Sequence, residues 1–492
     1  MNSIEIYLLL AVAGISFVGL SWIVQARASK DPREPRRVAA TIPYIGHAIG
    51  LFWYRSAYYA RVYQKHKAPI ISISMFGGTI HIIGSADLMN SLHRRAKAVS
   101  FWYLEARFTA ELGTLSRDAS KKLVANLEPA SKDRSLLIEG LKATQQAVSP
   151  VGGLDEMIRI TADNTKNRLD SLASEENGSL PQRRAFMVQQ THMEIRRWKR
   201  DFDDNLMLML TKFLPRFLAS KAFNGRAVVV QAMARYFANG DYKNGSSLVK
   251  ARHSVLAAEM SLEDLAKFEC VNGIAIMTNT VPTAFWTIFH IFSDPKVLEE
   301  VRKQVMEITS KDEVLETGGL KRRINLGKLK YAPILSSVQQ EALRFRATGS
   351  GPRMVMEDTV VASGDDKFLL RKDSVVIIAN RALHFDNETC GETADVFRAD
   401  RFCGKVPGHA FRGFGGGLNL CPGRGFALAE VAALVAMLVM RFDVVPVGED
   451  GWVEPGQNLN NMSVQVAGPD IKVMVKIVPR KNARNVEWSF EL

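Results

Sequence analysis

The chain has 492 residues, 47% of them apolar and 23% charged, with 64 basic against 51 acidic side chains and a net charge of +13. That length and apolar content exclude a disordered tail or a disulfide-stapled mini-protein and allow a large hydrophobic core. The four cysteines, Cys270, Cys390, Cys403 and Cys421, form no CxxC pair and no Cys/His cluster, which argues against a zinc site or a disulfide framework.

In chain order, Ile6 to Val24 is almost continuously apolar, and a helix over it reaches about 28 Å, the thickness of a bilayer core. Asn2 and Glu5 precede it, while Arg27, Lys30, Arg33, Arg36 and Arg37 follow, a bias that keeps the downstream chain cytoplasmic. There is no basic n-region and no small-residue cleavage site, so an uncleaved anchor over 1–26 is expected. Glycosylation triplets at Asn177, Asn244, Asn387 and Asn461 then stay unmodified. Pro32, Pro35, Pro43 and Gly46 make a stiff connector over 27–48.

The body, 49–492, carries no low-complexity linker and no internal repeat. A hairpin is expected from Ile70 to Met75 and Thr79 to Ile83 around Phe76-Gly77-Gly78, followed by a short helix from Ser85 to Leu92. Helices are expected over Leu154 to Leu172, Asp204 to Phe217 and Arg226 to Phe237. Ser261 caps a long apolar helix that runs to about Phe292 before Pro295 and is interrupted at Asn279-Thr280-Val281-Pro282. Pro282 removes the N–H that would bond the Thr278 carbonyl, so oxygens are exposed in an otherwise apolar wall. A helix over Tyr331 to Arg344 places Glu341 and Arg344 on one face. Short strands and turns follow residue 350, then a helix from Val431 to Met440 and a strand from Lys472 to Val478. The fold class is mainly α with a small β portion.

Basic clusters at Arg94-Arg95-Lys97, Arg183-Arg184, Arg196-Arg197-Lys199-Arg200 and Lys321-Arg322-Arg323 suit an anionic membrane and an acidic protein partner. No finger, basic zipper or aromatic-basic repeat accompanies them, so nucleic acid is not an expected partner.

Cys421 lies in Phe414-Gly415-Gly416-Gly417-Leu418-Asn419-Leu420-Cys421-Pro422-Gly423-Arg424, immediately before an apolar helix. One thiolate wrapped by glycine-rich backbone is the arrangement expected for an axial ligand of haem iron, with N–H groups tuning the sulfur. The segment resembles the haem-binding signature of the cytochrome P450 superfamily at Phe414, Gly417, Cys421, Pro422, Gly423 and Arg424. Asn419 departs from it, standing where members commonly carry a basic residue that meets a haem propionate. Glu341 and Arg344, with Arg401 in Phe397-Arg398-Ala399-Asp400-Arg401-Phe402, resemble the family's Glu-Arg-Arg network. Arg353 resembles its propionate-binding arginine. The usual tryptophan and arginine for the other propionate are not evident in residues 130–147. Asn279-Thr280-Val281-Pro282 with Phe285-Trp286 is similar to the branch containing steroid 7-alpha- and 12-alpha-hydroxylases and prostacyclin synthase, and Ile42-Pro43-Tyr44-Ile45-Gly46-His47-Ala48 to the hinge of microsomal members.

The resemblance implies a single prism-shaped domain plus a transmembrane helix, anchored in the endoplasmic reticulum with its catalytic part in the cytoplasm, of fungal origin. It implies haem b (iron protoporphyrin IX) as cofactor and NADPH used through a separate NADPH-cytochrome P450 reductase, with cytochrome b5 a second candidate donor. Thr280 is then expected to stabilise the iron-bound oxygen and Asn279 to position water. Phe101, Trp102, Phe108, Ile276, Gly349, Met354, Asn461 and Met462 approach the pocket by position, and Phe213 to Leu218 with Phe223 form a membrane-dipping lid. The implied activity is oxygen insertion into a steroid- or terpenoid-like lipid; the branch also contains an isomerase, so a ring-rearranging reaction stands as the alternative.

Overall fold

The computed structural model describes residues 31–492 apart from 41, 43–44, 67, 76–77, 128–134, 175–184, 187–219, 317, 405, 407–410, 460–463 and 484–485; at 173–174, 185–186 and 277 only the backbone is described. Among the described residues no helix is long and apolar enough to cross a membrane. The apolar stretch 6–24, the basic clusters at 183–184 and 196–200, the helix expected over 204–217 and the lid at 213–218 lie outside them. The chain divides into two compact units that interleave along the sequence: 1–104, 127–131 and 350–383 form the first, and 105–126, 132–349 and 384–492 the second.

The first unit opens with residues 33–38 hydrogen-bonded to its strands. The Arg36 carbonyl accepts from Ser72 N–H at 2.9 Å, Val38 N–H donates to the Ser72 carbonyl at 2.8 Å, and the Arg33 carbonyl accepts from Leu369 N–H at 2.8 Å. The proline-rich connector is thus tied down where its backbone has partners. Helix α1 (Gly46–Tyr54) follows. Strands β1 (Ile70–Met75) and β2 (Gly78–Ile83) pair as an antiparallel hairpin, with Ile73 opposite Ile80. Helix α2 (Ala86–Arg94) starts one residue after Ser85. Short strand β3 (Val99–Ser100) pairs with β4 (Ser350–Val355), and β7 (Val375–Ala379) lies between β4 and β2 in the order β1-β2-β7-β4-β3. Strands β5 (Thr359–Ser363) and β6 (Asp366–Leu370) form a separate hairpin. Ile70, Ile83, Leu88, Leu92, Val99, Val355, Val376 and Ile378 make the core, where each fully buried aliphatic side chain contributes about 1.5–3 kcal/mol.

The second unit is built on helices. Helix α3 (Phe101–Gly113) enters it from the first, followed by α4 (Leu154–Ser174) and α5 (Ser220–Ala238). The expected long helix is two: α6 (Leu262–Met277), capped by the Ser261 hydroxyl that accepts from Asp264 N–H at 3.1 Å, and α7 (Thr280–Phe292). The break falls at Thr278 and Asn279, which leaves Pro282 in the first turn of α7, where no N–H is required of it. Thr278, Thr283 and Thr287 donate their hydroxyls to carbonyls four residues earlier, at 2.5, 2.8 and 2.7 Å, a back-bonding that bends helices. Every residue of α7 from Pro282 onward is buried, as expected for a helix apolar on all sides. Helix α8 (Pro333–Phe345) and helix α9 (Arg424–Arg441) pack with it around Ile288, Leu335, Val338, Val435 and Val439. Helix α9 begins immediately beyond the cysteine loop, as expected there, and includes the stretch Val431 to Met440.

Candidate functional site

The cysteine loop is fixed by its own backbone. Cys421 N–H donates to the Phe414 carbonyl at 2.9 Å and Asn419 N–H to that of Gly416 at 3.2 Å. Gly415 has φ +76°, a left-handed conformation, and a Cβ there would sit 2.7 Å from the Asn419 carbonyl oxygen. A Cβ at Gly416 would lie 1.9 Å from the Arg412 guanidinium, so the loop closes tightly around that side chain. Cys421 stands half-buried at the N-terminal end of α9, where Gly423 and Arg424 direct N–H groups at its sulfur. Burial pushes the thiol up, while those two N–H groups and the Arg424 charge favour the thiolate. A lone sulfur with backbone donors at a helix start fits an axial ligand of a haem, whose iron supplies the remaining charge. The other cysteines differ: burial raises Cys270 to about 12, leaving it an inert core group. No group of three or more His, Cys, Asp or Glu side chains that could hold a metal ion occurs among the described residues.

Behind the loop is a buried charge network. Glu341 is fully buried on α8, and Arg344 donates to both its oxygens at 2.7 and 2.8 Å. Arg401 Nε reaches the same two oxygens at 3.0 and 3.1 Å, and Arg398 N–H adds a bond at 3.1 Å. Two guanidiniums against one carboxylate leave an excess positive charge, which carbonyl oxygens offset: His384 and Ala394 accept from Arg344, and Cys390, Thr393 and Val396 from Arg401. The structure thus brings Glu341, Arg344 and Arg401 together.

His384, which the sequence did not single out, joins this network to the loop. Its Nδ1 bonds the Arg344 carbonyl at 3.1 Å and its Nε2 accepts from Arg412 N–H at 2.8 Å. A carbonyl only accepts and an N–H only donates, so the ring is neutral with its proton on Nδ1. Arg412 is also a residue that sequence reading passed over. It is buried, and desolvation pushes its guanidinium down to about 10.

At the break between α6 and α7, Asn279 does something its sequence position did not announce. Its Oδ1 accepts the Gln465 backbone N–H at 2.8 Å, so the amide oxygen tethers a distant segment and only its NH2 remains for water. The same segment is held by Thr348 N–H and Gly349 N–H on the Gln465 carbonyl, at 2.9 and 3.3 Å, and by Trp286 Nε1 on that of Ala467, at 2.8 Å. Gly349 has a steric reason to be glycine, since a Cβ would fall 2.2 Å from the Gln465 side chain. Arg346, stacked 3.7 Å from the Trp286 ring, pairs with Glu454 and donates to His290 Nε2 at 3.1 Å. Burial and the Arg346 charge lower His290 to about 3, which keeps it neutral. Thr280 donates to the Ile276 carbonyl over a long 3.4 Å.

Of the expected pocket residues, Ile276 is 49% exposed at the end of α6, and Phe108 packs with Leu112, Cys270, Val271 and Ile274. Arg353 is buried on β4 with its guanidinium 5.8 Å from the Phe101 ring, which meets Trp102 edge-on. Met354 lies opposite Ser100 and Val375 in the sheet. Asn461 and Met462 lie outside the described residues. Among the basic clusters, Lys321, Arg322 and Arg323 pair with Glu487, Asp312 and Glu313, so that cluster is neutralised rather than offered to a partner.

The family profile named Cytochrome P450 matches residues 238–470. The cytochrome P450 monooxygenase nodJ of Hypoxylon pulicicidum is 28% identical, spanning 99% of this chain and 97% of its own. A cytochrome P450 monooxygenase of Gibberella zeae is 25% identical over 94% of this chain and 92% of its own. The human 7-alpha-hydroxycholest-4-en-3-one 12-alpha-hydroxylase is 32% identical, but over 37% of this chain and 39% of that enzyme. The expected nearness to the steroid-hydroxylase branch therefore holds over a minority of the chain, whereas likeness to these fungal monooxygenases runs end to end. With a thiol wrapped at the start of α9, a buried Glu-Arg-Arg network behind it and relatives matched along the whole sequence, the chain belongs to the cytochrome P450 superfamily of haem-thiolate oxidoreductases.

Proposed function

We propose that this protein is a membrane-bound monooxygenase acting on an apolar steroid- or terpenoid-like lipid. One atom of O2 enters the substrate and the other leaves as water, with two electrons drawn from NADPH through a separate reductase. The observation that carries this reading is Cys421 at the N-terminus of α9 with two N–H groups on its sulfur. Haem b held there supplies the oxygen-activating chemistry, which a thiolate ligand favours.

The chain's own residues bind, orient and move protons. Gly423 and Arg424 N–H stabilise the sulfur's negative charge. Arg353 would hold a propionate by its likeness to the family's arginine, and buried Arg412 would supply the cation that Asn419 does not. Thr280 offers a hydroxyl whose helical bond is long enough to exchange for a ligand. The Asn279 NH2 holds a water beside it. Phe108, Ile276 and Gly349 line the substrate space in this reading and keep water out.

Membrane attachment through 1–26 is supported by α1 and its N-cap, where Ile45, Ile49, Phe52 and Trp53 are exposed. Aromatic and aliphatic side chains of that kind suit the lipid interface. Residence in the endoplasmic reticulum and a fungal source belong to the same reading, the latter supported by the end-to-end fungal relatives. The substrate class rests on the resemblance at Asn279-Thr280-Val281-Pro282 and on the partial match to the human 12-alpha-hydroxylase.

The reduced protein with carbon monoxide is expected to show the thiolate-ligated absorption, lost in Cys421→Ala. Product formation is expected to require NADPH, reductase and oxygen together. A second reading, a haem-thiolate isomerase, draws on residues 276–283, which contain no carboxylate to relay protons. Product made without NADPH would favour it.

A further inference from the structure

The two ends of the Asn279 side chain are told apart by the company they keep. Its Oδ1 accepts the Gln465 backbone N–H at 2.8 Å. A backbone N–H only donates, so the amide nitrogen cannot occupy that place and the amide has one orientation. Gln465 is itself held from its other side, because Thr348 and Gly349 N–H donate to its carbonyl at 2.9 and 3.3 Å and Ala347 bridges Val466. All these residues belong to the second unit. The oxygen of Asn279 is thus committed to a segment that is fixed on both edges. Among the described residues its NH2 has no hydrogen bond.

Asn279 also sits in the one open stretch of α6 and α7 on either side of their break. Ala275 and Ile276 are exposed and Asn279, Thr280 and Val281 are half-buried, whereas Pro282 to Phe292 are all buried. An NH2 left without a protein partner costs free energy unless water or a ligand meets it. It carries two hydrogens and accepts nothing. The reading above uses one of them to hold a water, and the second is left over. A ligand hydroxyl would bring a proton that the committed Oδ1 does not take, while a carbonyl brings only lone pairs.

We infer that Asn279 is a specificity-determining residue whose second N–H donates to a carbonyl oxygen on an otherwise apolar substrate, turning that part of the molecule towards the α6–α7 break. The inference rests on the monooxygenase reading and narrows its substrate to a ketone-bearing lipid. It divides Asn279 into a tether at its oxygen and a recognition group at its nitrogen.

The test uses the full-length, haem-loaded protein and apolar azoles that bind haem iron, in pairs that differ by a ketone in place of a methylene at graded distances from the azole. Absorbance titration at pH 8 reads each Kd. In the wild type the ketone of at least one pair is expected to tighten binding about 10-fold. Asn279→Asp keeps an acceptor for Gln465 N–H but loses both donors, so it should erase that advantage and leave the Kd of the methylene partner within about 2-fold. Asn279→Ala takes its place if the aspartate variant does not hold haem. No advantage from any ketone, an advantage that survives in the variant, or equal weakening of both members of a pair would overturn the proposal. The azoles do not depend on turnover: product formed without NADPH would count against the monooxygenase reading, while the azole pairs still decide on Asn279. A protein that gives no azole spectrum at all would sink the haem assignment and this inference with it.

Discussion

The cysteine loop and the α6–α7 break are built on opposite plans. Around Cys421 nearly every constraint is doubled: backbone bonds close the loop, His384 joins it to α8, and the Glu341 carboxylate accepts from two guanidiniums and an N–H. At the break the polar groups are few, and most threonine hydroxyls turn back onto their own helix. A ligand that must hold one geometry is over-determined, whereas a surface that meets an apolar substrate carries a few isolated polar atoms. Rigidity is concentrated on the sulfur side.

Several measurements would break or sharpen that contrast. Cys421→Ala should abolish the thiolate spectrum outright, and its survival would remove the basis of the comparison. Glu341→Ala strands two guanidiniums in the interior and should cost about 3–5 kcal/mol, read from denaturant midpoints; a loss below about 1 kcal/mol would show that the network is not rigid. His290 supplies a pH test for the α7 side. Its folded pKa lies below the ordinary value near 6.5, so the unfolded chain takes up a proton that the folded one refuses. Stability should therefore fall as pH drops from about 6.5 towards 3, by roughly 3–5 kcal/mol at full effect. His290→Gln should flatten that slope in urea titrations from pH 7 to pH 4. His384→Ala, which strands the Arg412 N–H, should cost about 1–3 kcal/mol and broaden the thiolate band by loosening the loop. The smallest effect is expected at Asn279. Asn279→Asp keeps an acceptor for Gln465 N–H and should stay within about 1 kcal/mol of wild type, with Asn279→Ala losing about 1–2 kcal/mol by thermal melting.

The sulfur side was also the more legible in sequence, for a physical reason. Its glycine loop, cysteine and following helix are contiguous, and Glu341 with Arg344 sits at a helical spacing that needs no tertiary knowledge. The partnerships that were missed span long stretches of chain: His384 with Arg412, Arg346 with Glu454, and Asn279 with Gln465 lie 28, 108 and 186 residues apart. No local pattern marks a backbone N–H as the partner of a particular amide. An arginine two residues before the FxxGxxxCPG run was the one local hint. The break was placed to within two residues because proline dictates it, and α9 begins where an apolar helix was expected directly after the loop.

Helix α7 is enclosed on all sides from Pro282 to Phe292, which fixes where substrate range can change. A rod gripped around its full circumference has no free face on which to accept a bulkier or thinner neighbour, and any rotation would disturb α8 and α9 together. Adaptation to a differently shaped molecule must then come from the final turn of α6, where Ala275 and Ile276 are exposed. Variants selected for new substrates should accumulate in that turn and spare the helix that follows it.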